Sequence, residues 1–271
     1  MDSKRSLGIL VVPNLRSSAV KASRMIEEKN DVHTLFLHEP QNIETYVRRY
    51  SEGRISFEAM VEEVRNSKLV PEPIGSWLYT SEPILRALPR LHRQRGKLSV
   101  FCYQDTDQFR KTSSLAADIA LLTYRATAVG KIDIKEWMDL LSDFIETRRL
   151  ALPKDAQYIQ NHSCESGNLC LHGLGVKQLK SFLDGAFEKI EVRCVESFYR
   201  FTPLEMLYAK LSRRAELEGV EELVKSHLQY VNRYVLRNLN RDIAHYRWLL
   251  DREPSLRNKI PDNQVEQMRV L

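Results

Sequence analysis

Cysteines and long apolar runs are scarce in this chain. Only 4 cysteines occur among 271 residues, which is too few for a disulfide scaffold, so we expect them to be thiols or ligands. No stretch approaches the roughly 18 consecutive apolar residues of a membrane span, and the first residues lack the hydrophobic core of a signal peptide. We therefore expect a cytoplasmic protein that does not enter a membrane.

Three familiar sequence motifs are also missing. No Gly-x-Gly-x-x-Gly follows the first apolar run, and no Gly-x-x-x-x-Gly-Lys-Ser/Thr occurs in the sequence. Both absences argue against a nucleotide held by a glycine-rich loop. A Gly-x-Ser-x-Gly nucleophile elbow is missing too, which argues against a serine hydrolase of that type.

The composition is that of a folded chain with a slight excess of basic residues. Hydrophobic residues make up 43% of the sequence, which is enough to bury a full core. The formal net charge is +5, from 41 Lys and Arg against 36 Asp and Glu. This mild excess suits solubility and leaves nucleic acid or an anionic ligand open as partners.

Five short apolar runs predict a mostly parallel central sheet. Continuous apolar runs that are separated by helical patterns are typical of strands buried on both faces of an α/β protein. The predicted strands are Leu7 to Pro13, Val32 to Leu37, Leu98 to Tyr103, Asn168 to His172 and Ile190 to Val195. The chain therefore predicts an α/β fold, with a sheet of about five strands flanked by many helices.

Long helical patterns set the predicted domain organisation. Helical insertions are expected at about 41–96 and 106–160, within an α/β domain of residues 1–200. Thr202-Pro-Leu-Glu205 has the spacing of a capping box, and the pattern is helical from there to about Asp251. Residues 201–271 are thus predicted to be a helical C-terminal part that packs on the α/β domain as one structural unit.

Polar side chains follow the predicted strands at their carboxyl ends. In chain order they are Asn14, His38, Glu39, Tyr103, Asp105 and His172. Because parallel strands expose their carboxyl ends along one edge, these groups are expected to converge. We predict Glu39, His38, Asp105 and His172 as catalytic residues, with Asn14 and Tyr103 as ligand-binding residues. The alternative is that such residues only cap the helices that follow.

The segment His162-Ser-Cys-Glu-Ser-Gly-Asn-Leu-Cys-Leu-His172 predicts a metal site. It places His162, Cys164, Cys170 and His172 within eleven residues, and imidazole and thiolate are ligands of zinc and similar divalent metals. Cys170 and His172 would share one face of a strand. The alternative is that Cys170 is a small core residue.

A basic run near the C-terminus predicts a nucleic-acid interface. Arg233, Arg237 and Arg241 recur at helical spacing, with tyrosines and a tryptophan between and after them. Such a helix face could contact phosphates and stack bases. The alternative is a solvated face beside a core stripe.

The order of these elements resembles that of the TraB, Tiki, ChaN and erythromycin-esterase group. In that group a strand runs into Gly-x-x-His, a second apolar strand ends in glutamate, and a later glycine-rich strand carries another histidine. Leu7 to Pro13, Thr34 to Pro40 and Asn168 to Leu179 follow this order, although Pro13-Asn14 stands where the group has its first histidine. The resemblance implies metal-binding or catalytic roles for Glu39 and His172.

Two functions from different classes follow from these patterns. The first is a hydrolase-like enzyme that acts on a small-molecule or peptide substrate, with an acid–base or metal site at the strand ends. The second is a catalytically inactive binding protein that contacts nucleic acid or a nucleoprotein through the C-terminal arginines. The predicted cofactor, for the enzyme, is a divalent metal.

Overall fold

The computed structural model describes residues 5–96, 98–213 and 218–260. Its five strands form one sheet, and every pairing within that sheet is parallel. The strands are β1 (Ser6–Val11), β2 (Thr34–Pro40), β3 (Ser99–Gln104), β4 (Asn168–His172) and β5 (Lys189–Cys194). The predicted α/β fold is confirmed, and each predicted strand corresponds to one of these five within three residues at either end.

The strand order β3-β2-β4-β1-β5 creates a switch point between β2 and β4. The chain leaves β2 toward β3, on one side, and leaves β4 toward β5, on the other. Because crossovers between parallel strands are right-handed, connections that run in opposite directions cover opposite faces of the sheet. The carboxyl ends of β2 and β4 therefore lie at the position where α/β proteins of this kind bind ligands.

Ten α-helices accompany the sheet in the part of the chain that the structure describes. They are α1 (Arg16–Glu28), α2 (Glu44–Ser51), α3 (Phe57–Asn66), α4 (Ile74–Arg95), α5 (Thr106–Val129), α6 (Ile134–His162), α7 (Val176–Leu183), α8 (Pro203–Ser212), α9 (Val220–Arg233) and α10 (Arg241–Arg252).

Alternate side chains of the strands build two cores, one on each face of the sheet. Leu35 and Leu37 of β2 pack in one cluster with α1, α2, α3 and α4. Phe36, which lies between them, packs in a second cluster with α6 and α7. This alternation follows from the period-two geometry of a strand, and it explains why β2 reads as a continuous apolar run.

Gly167 fits tightly before β4, since a Cβ there would lie 2.3 Å from the backbone oxygen of Asp31.

The chain divides into two compact units. The first comprises residues 1–113 and 148–197, and the second comprises residues 114–147 and 198–271. The sequence places residues 114–147 within the helical insertion of an α/β domain, whereas in the structure they cluster with the C-terminal helices. Leu122 of α5, Trp137 of α6 and Leu207 of α8 share one buried cluster there, which local periodicity cannot reveal. Residues 261–271 of the predicted C-terminal part lie outside the described residues.

The predicted continuous helical pattern up to Asp251 is wrong in two places. α8 ends at Ser212, and α9 begins only at Val220, after Gly219 in a left-handed conformation (φ 74°). The second break follows α9. α9 ends at Arg233, a 3-10 turn covers Val235–Arg237, and α10 begins only at Arg241. The side chain of Asn240 accepts a hydrogen bond from the backbone N–H of Ile243. An N-cap of this kind starts a new helix, so the arginines at 233, 237 and 241 do not lie on one helix.

No helix in the described ranges is both long enough and apolar enough to cross a membrane.

Candidate functional site

Two histidines meet at the switch point of the sheet. His38 lies near the end of β2 and His172 ends β4, and their ring centroids are 4.7 Å apart in an edge-on arrangement. His172 is 2% exposed, and His38 is half-buried. The parallel sheet thus brings together two predicted site residues that are far apart in sequence.

The tautomer of His172 is set by Tyr103, the predicted ligand-binding residue of β3. The Tyr103 hydroxyl lies 3.0 Å from the carbonyl oxygen of Leu171 and 2.7 Å from Nδ1 of His172. Because a carbonyl oxygen only accepts, the single hydroxyl proton goes to Leu171, and Nδ1 of His172 then donates its own proton to the phenol oxygen. Nε2 of His172 therefore carries a lone pair, and no described residue forms a hydrogen bond with it.

His38 has the same tautomer through a different partner. The Gln104 side-chain amide donates to Nε2 of His38 at 2.9 Å, which leaves the ring proton on Nδ1. Burial lowers the pKa of His38 to about 3, with a further lowering by the charge of Arg148. Burial also lowers the pKa of His172 well below its usual range, as do His38 and Arg148. Both imidazoles are consequently neutral at pH 7.

Two residues of α6 belong to this neighbourhood, and neither was predicted from the sequence. The positive charge of Arg148 lowers the pKa values of both histidines and of Tyr103. Asp155 is 4% exposed, accepts a hydrogen bond from the backbone N–H of Asp105 at 2.9 Å, and has its pKa raised to about 7, chiefly by burial. Their seven-residue spacing puts them on one face of α6. A carboxylate within the apolar stripe of α6 was the pattern that could have identified Asp155.

Glu39 faces the opposite side of the sheet from His38. Its two carboxylate oxygens accept hydrogen bonds from Nε1 of Trp77 and from the hydroxyl of Ser81, each at 2.6 Å, and both partners lie on α4. Burial raises the pKa of Glu39 to about 7, against the lowering effect of these two hydrogen bonds. The structure therefore joins Glu39 to α4 rather than to the histidine pair, and its catalytic role stays a prediction.

The two remaining strand-end residues are placed differently. Asp105 accepts a hydrogen bond from the backbone N–H of Gln108 and pairs with Lys154 at 3.0 Å, so it caps the start of α5. Burial would raise the pKa of Asp105, but these hydrogen bonds and the charge of Lys154 outweigh it and lower the pKa. Asn14 is exposed between β1 and α1.

The four predicted metal ligands do not form one site. Cys164 contacts the Asn168 side chain at the amino end of β4, whereas His172 lies at the carboxyl end. A strand of this length separates its ends by roughly 13 Å, since the rise is about 3.3 Å per residue. His162 stacks on Tyr158 with centroids 4.1 Å apart, and burial raises the pKa of Cys170 to about 12. Among the residues that the structure describes, no group of three or more His, Cys, Asp or Glu is placed to hold a metal ion.

The C-terminal arginines divide between two environments. Arg233 and Arg237 are exposed. The charge of Arg241, in contrast, lowers the pKa values of Tyr199, Tyr230 and Glu205 inside the second unit. The predicted nucleic-acid-binding face is therefore not present as a continuous helical surface.

The arrangement at the switch point is suited to acid–base chemistry. A neutral imidazole with a free lone pair can take a proton, a second imidazole can donate an N–H, and a guanidinium group can stabilise negative charge. Tyr103 orients the first imidazole, as the third member of a catalytic triad orients its base.

A scan against protein-family models finds no match to this chain, and searches of the curated proteins and of the solved structures find none either. The resemblance in element order to the TraB, Tiki, ChaN and erythromycin-esterase group stays a prediction.

Proposed function

We propose that this protein is a hydrolase whose active site lies at the carboxyl ends of β2, β3 and β4. The observation that carries the proposal is the hydrogen bond between Tyr103 and Nδ1 of His172, because it fixes the imidazole with its Nε2 lone pair available beside a second neutral imidazole. A positioned base of this kind contributes about 10²–10⁴-fold to the rate of a proton-transfer step.

In the proposed reaction, His172 activates water for attack on an ester or amide carbonyl. The water oxygen forms a bond to the carbonyl carbon while its proton passes to Nε2 of His172. The N–H of His38 and the charge of Arg148 stabilise the negative oxygen of the tetrahedral intermediate. When the bond to the leaving group breaks, His172 returns the proton to the departing oxygen or nitrogen. Cys170 is not the nucleophile, because its raised pKa keeps it a thiol.

The test is hydrolysis of p-nitrophenyl acetate, p-nitrophenyl butyrate and fluorescein-labelled casein by the full chain. We expect turnover of at least one of these probes above the uncatalysed rate, and a decrease of about 10²-fold or more in kcat for His172→Gln. The matched control is His33→Gln, since His33 is an exposed histidine just before β2 and should not affect the rate.

A third variant, Glu39→Gln, separates the two candidate bases. The introduced side-chain amide can still accept from Trp77 through its oxygen and can donate to Ser81 through its nitrogen, so α4 stays in place. We expect kcat to fall by less than about 10-fold, below the contribution of a positioned base. Retention of full activity by His172→Gln together with loss of activity in Glu39→Gln would assign the base to Glu39 and contradict the proposal.

A further inference from the structure

The second unit carries a groove between α5 and α6 that the proposed active site does not use. The groove has a volume of about 530 Å³, which is the size of a ligand or peptide site. Each helix lines it with residues at i, i+3 or i+4, and i+7, the spacing of one helix face. The lining includes Asp118, Leu121 and Arg125 of α5 and Glu136, Asp139 and Asp143 of α6; we call this surface the acidic groove.

The charge of the acidic groove is strongly negative. Five carboxylates line it against two cations, Arg125 and Lys135, and Arg125 is already paired with Glu136. Asp118, Asp139 and Asp143 are exposed and form no ion pair with any described residue.

The acidic groove also has an apolar component. Leu121, Leu122 and Leu140 line it, and Leu121 is 66% exposed. A negative, partly apolar groove fits a segment that combines arginines with large aliphatic side chains.

The same unit exposes a segment with that composition. Residues 233–239, which we call the basic knuckle, run from the last residue of α9 into the connection to α10. They contain Arg233, Arg237 and three exposed aliphatic residues. Leu236 is 67% exposed and Leu239 is 76% exposed, and Val235 lies beside them. No acidic residue occurs in the segment, and neither arginine forms an ion pair within the described ranges.

Hydrogen bonds and one ring contact fix the conformation of the basic knuckle in the free chain. Tyr234 donates its hydroxyl hydrogen bond to Asp251 of α10 at 2.6 Å and stacks on Tyr230 of α9. Asn238 bonds back to the carbonyl of Tyr234, and Asn240 caps α10. Because these hydrogen bonds already order the segment in the free protein, it loses little conformational entropy on binding.

We infer that the protein self-associates head to tail, with the basic knuckle of one copy seated in the acidic groove of the next. Both surfaces are on the same chain but are different patches, so the contact is heterologous and extends beyond a dimer unless it closes into a ring. The exposed leucines of the basic knuckle enter the groove beside its leucines, and Arg233 and Arg237 pair with Asp139 and Asp143. One interface thus accounts for Arg233 and Arg237 and for the exposed aliphatic residues of the basic knuckle.

The test uses two variants of the full chain in sedimentation equilibrium. Arg233→Ser/Arg237→Ser makes the knuckle neutral and leaves the groove, whereas Asp139→Lys/Asp143→Lys reverses the charge of the groove and leaves the knuckle. We expect the wild-type protein to grow in average mass with concentration up to about 100 µM, and to dissociate in about 0.5 M salt because the attraction is screened. Each variant alone should have the mass of one chain.

Mixing the two variants distinguishes this interface from any symmetric one. The intact knuckle of the groove variant can enter the intact groove of the knuckle variant. The remaining pair, a neutral knuckle and a positive groove, has no charge attraction, so the mixture should stop at a one-to-one heterodimer.

A charge swap within one chain tests the pairing directly. Arg233→Glu/Arg237→Glu combined with Asp139→Lys/Asp143→Lys reverses both surfaces together, so growth with concentration should return. The control is Lys177→Ser/Arg193→Ser, which removes two positive charges at exposed sites of the first unit and should associate as the wild type does.

Melting temperatures establish that each variant is folded. A wild type that stays at the mass of one chain, variants that associate like the wild type, or a mixture that stays monomeric would each overturn the inference.

Discussion

The hydroxyl group of Tyr103 connects two strands, β3 and β4, through two hydrogen bonds. It donates to the backbone of β4 and accepts from His172, while Tyr103 itself is fully buried in β3. Burial raises the pKa of Tyr103 well above its usual range, so the group is a neutral phenol at pH 7. Its proton therefore stays on the hydrogen bond to Leu171, and its oxygen accepts from Nδ1 of His172.

We predict that Tyr103→Phe releases the His172 tautomer. The change removes the hydroxyl that bonds to Nδ1 of His172 and to the carbonyl of Leu171, and that carbonyl keeps the contact from Sγ of Cys170 at 3.6 Å. The change should therefore lower the free energy of unfolding by about 1–3 kcal/mol. ¹⁵N chemical shifts of the ring should show Nδ1–H in the wild type and a mixture of tautomers in the variant, with kcat reduced more than KM is changed. A wild-type ring protonated on Nε2 would contradict this role of Tyr103.

Helices and strands that depend on a local sequence pattern could be predicted, whereas features that depend on contacts between distant parts of the chain could not. The five strands follow from apolar runs, and the start of α8 follows from Thr202 and Glu205, which form the predicted capping box. The break before α10 depends on one capping side chain, Asn240, within a pattern that otherwise reads as helix. The sequence shows that polar groups follow the strands, but the strand order that pairs His38 with His172 and turns Glu39 toward α4 is a tertiary property.

The capping box of α8 makes an element-scale prediction. The Thr202 hydroxyl accepts from the backbone N–H of Glu205, and the Glu205 carboxylate accepts from the backbone N–H of Thr202. Thr202→Ala should lower the free energy of unfolding of the second unit by about 1 kcal/mol, measured by urea denaturation with the fluorescence of Trp137 and Trp248. Thr202→Ser keeps the hydroxyl and should change stability by less than half as much; equal losses in both variants would show that the cap is not the cause.

At the scale of the whole molecule, the two units have different balances of buried titratable groups. In the first unit, the pKa values of His38 and His172 are lowered, whereas those of Glu39 and Asp155 are both raised to about 7. The two sets of shifts have opposite effects on the pH dependence of stability. In the second unit, burial lowers the pKa values of both His227 and His245 to about 4, and only Glu205, whose pKa is raised by burial, opposes them among the buried histidines and carboxylates of its described residues.

These balances determine how each unit responds to acid. Between pH 6.5 and about 4, a histidine with a lowered pKa takes up a proton only when unfolded, so stability falls as the pH falls. A carboxyl group with a raised pKa takes up a proton first in the folded state, so between about pH 7 and 4.5 stability rises as the pH falls. The two effects nearly cancel in the first unit. In the second unit the histidines dominate, at about 2 kcal/mol each between pH 7 and pH 5 before the opposing effect of Glu205.

We therefore predict that acid destabilises the second unit before the first. Hydrogen exchange, read peptide by peptide and corrected for its intrinsic pH dependence, should show protection lost between pH 7 and pH 5 in residues 218–260 but not in the peptides of β1, β2 and β4. His227→Gln keeps an N–H donor for the Thr123 hydroxyl, which His227 contacts at 3.1 Å, and removes the titrating group. This variant should lose about half of the acid sensitivity of the second unit, because only His245 then remains neutral and buried. Equal loss of protection in both units at pH 5, or an unchanged response in His227→Gln, would mean that other groups set the acid stability.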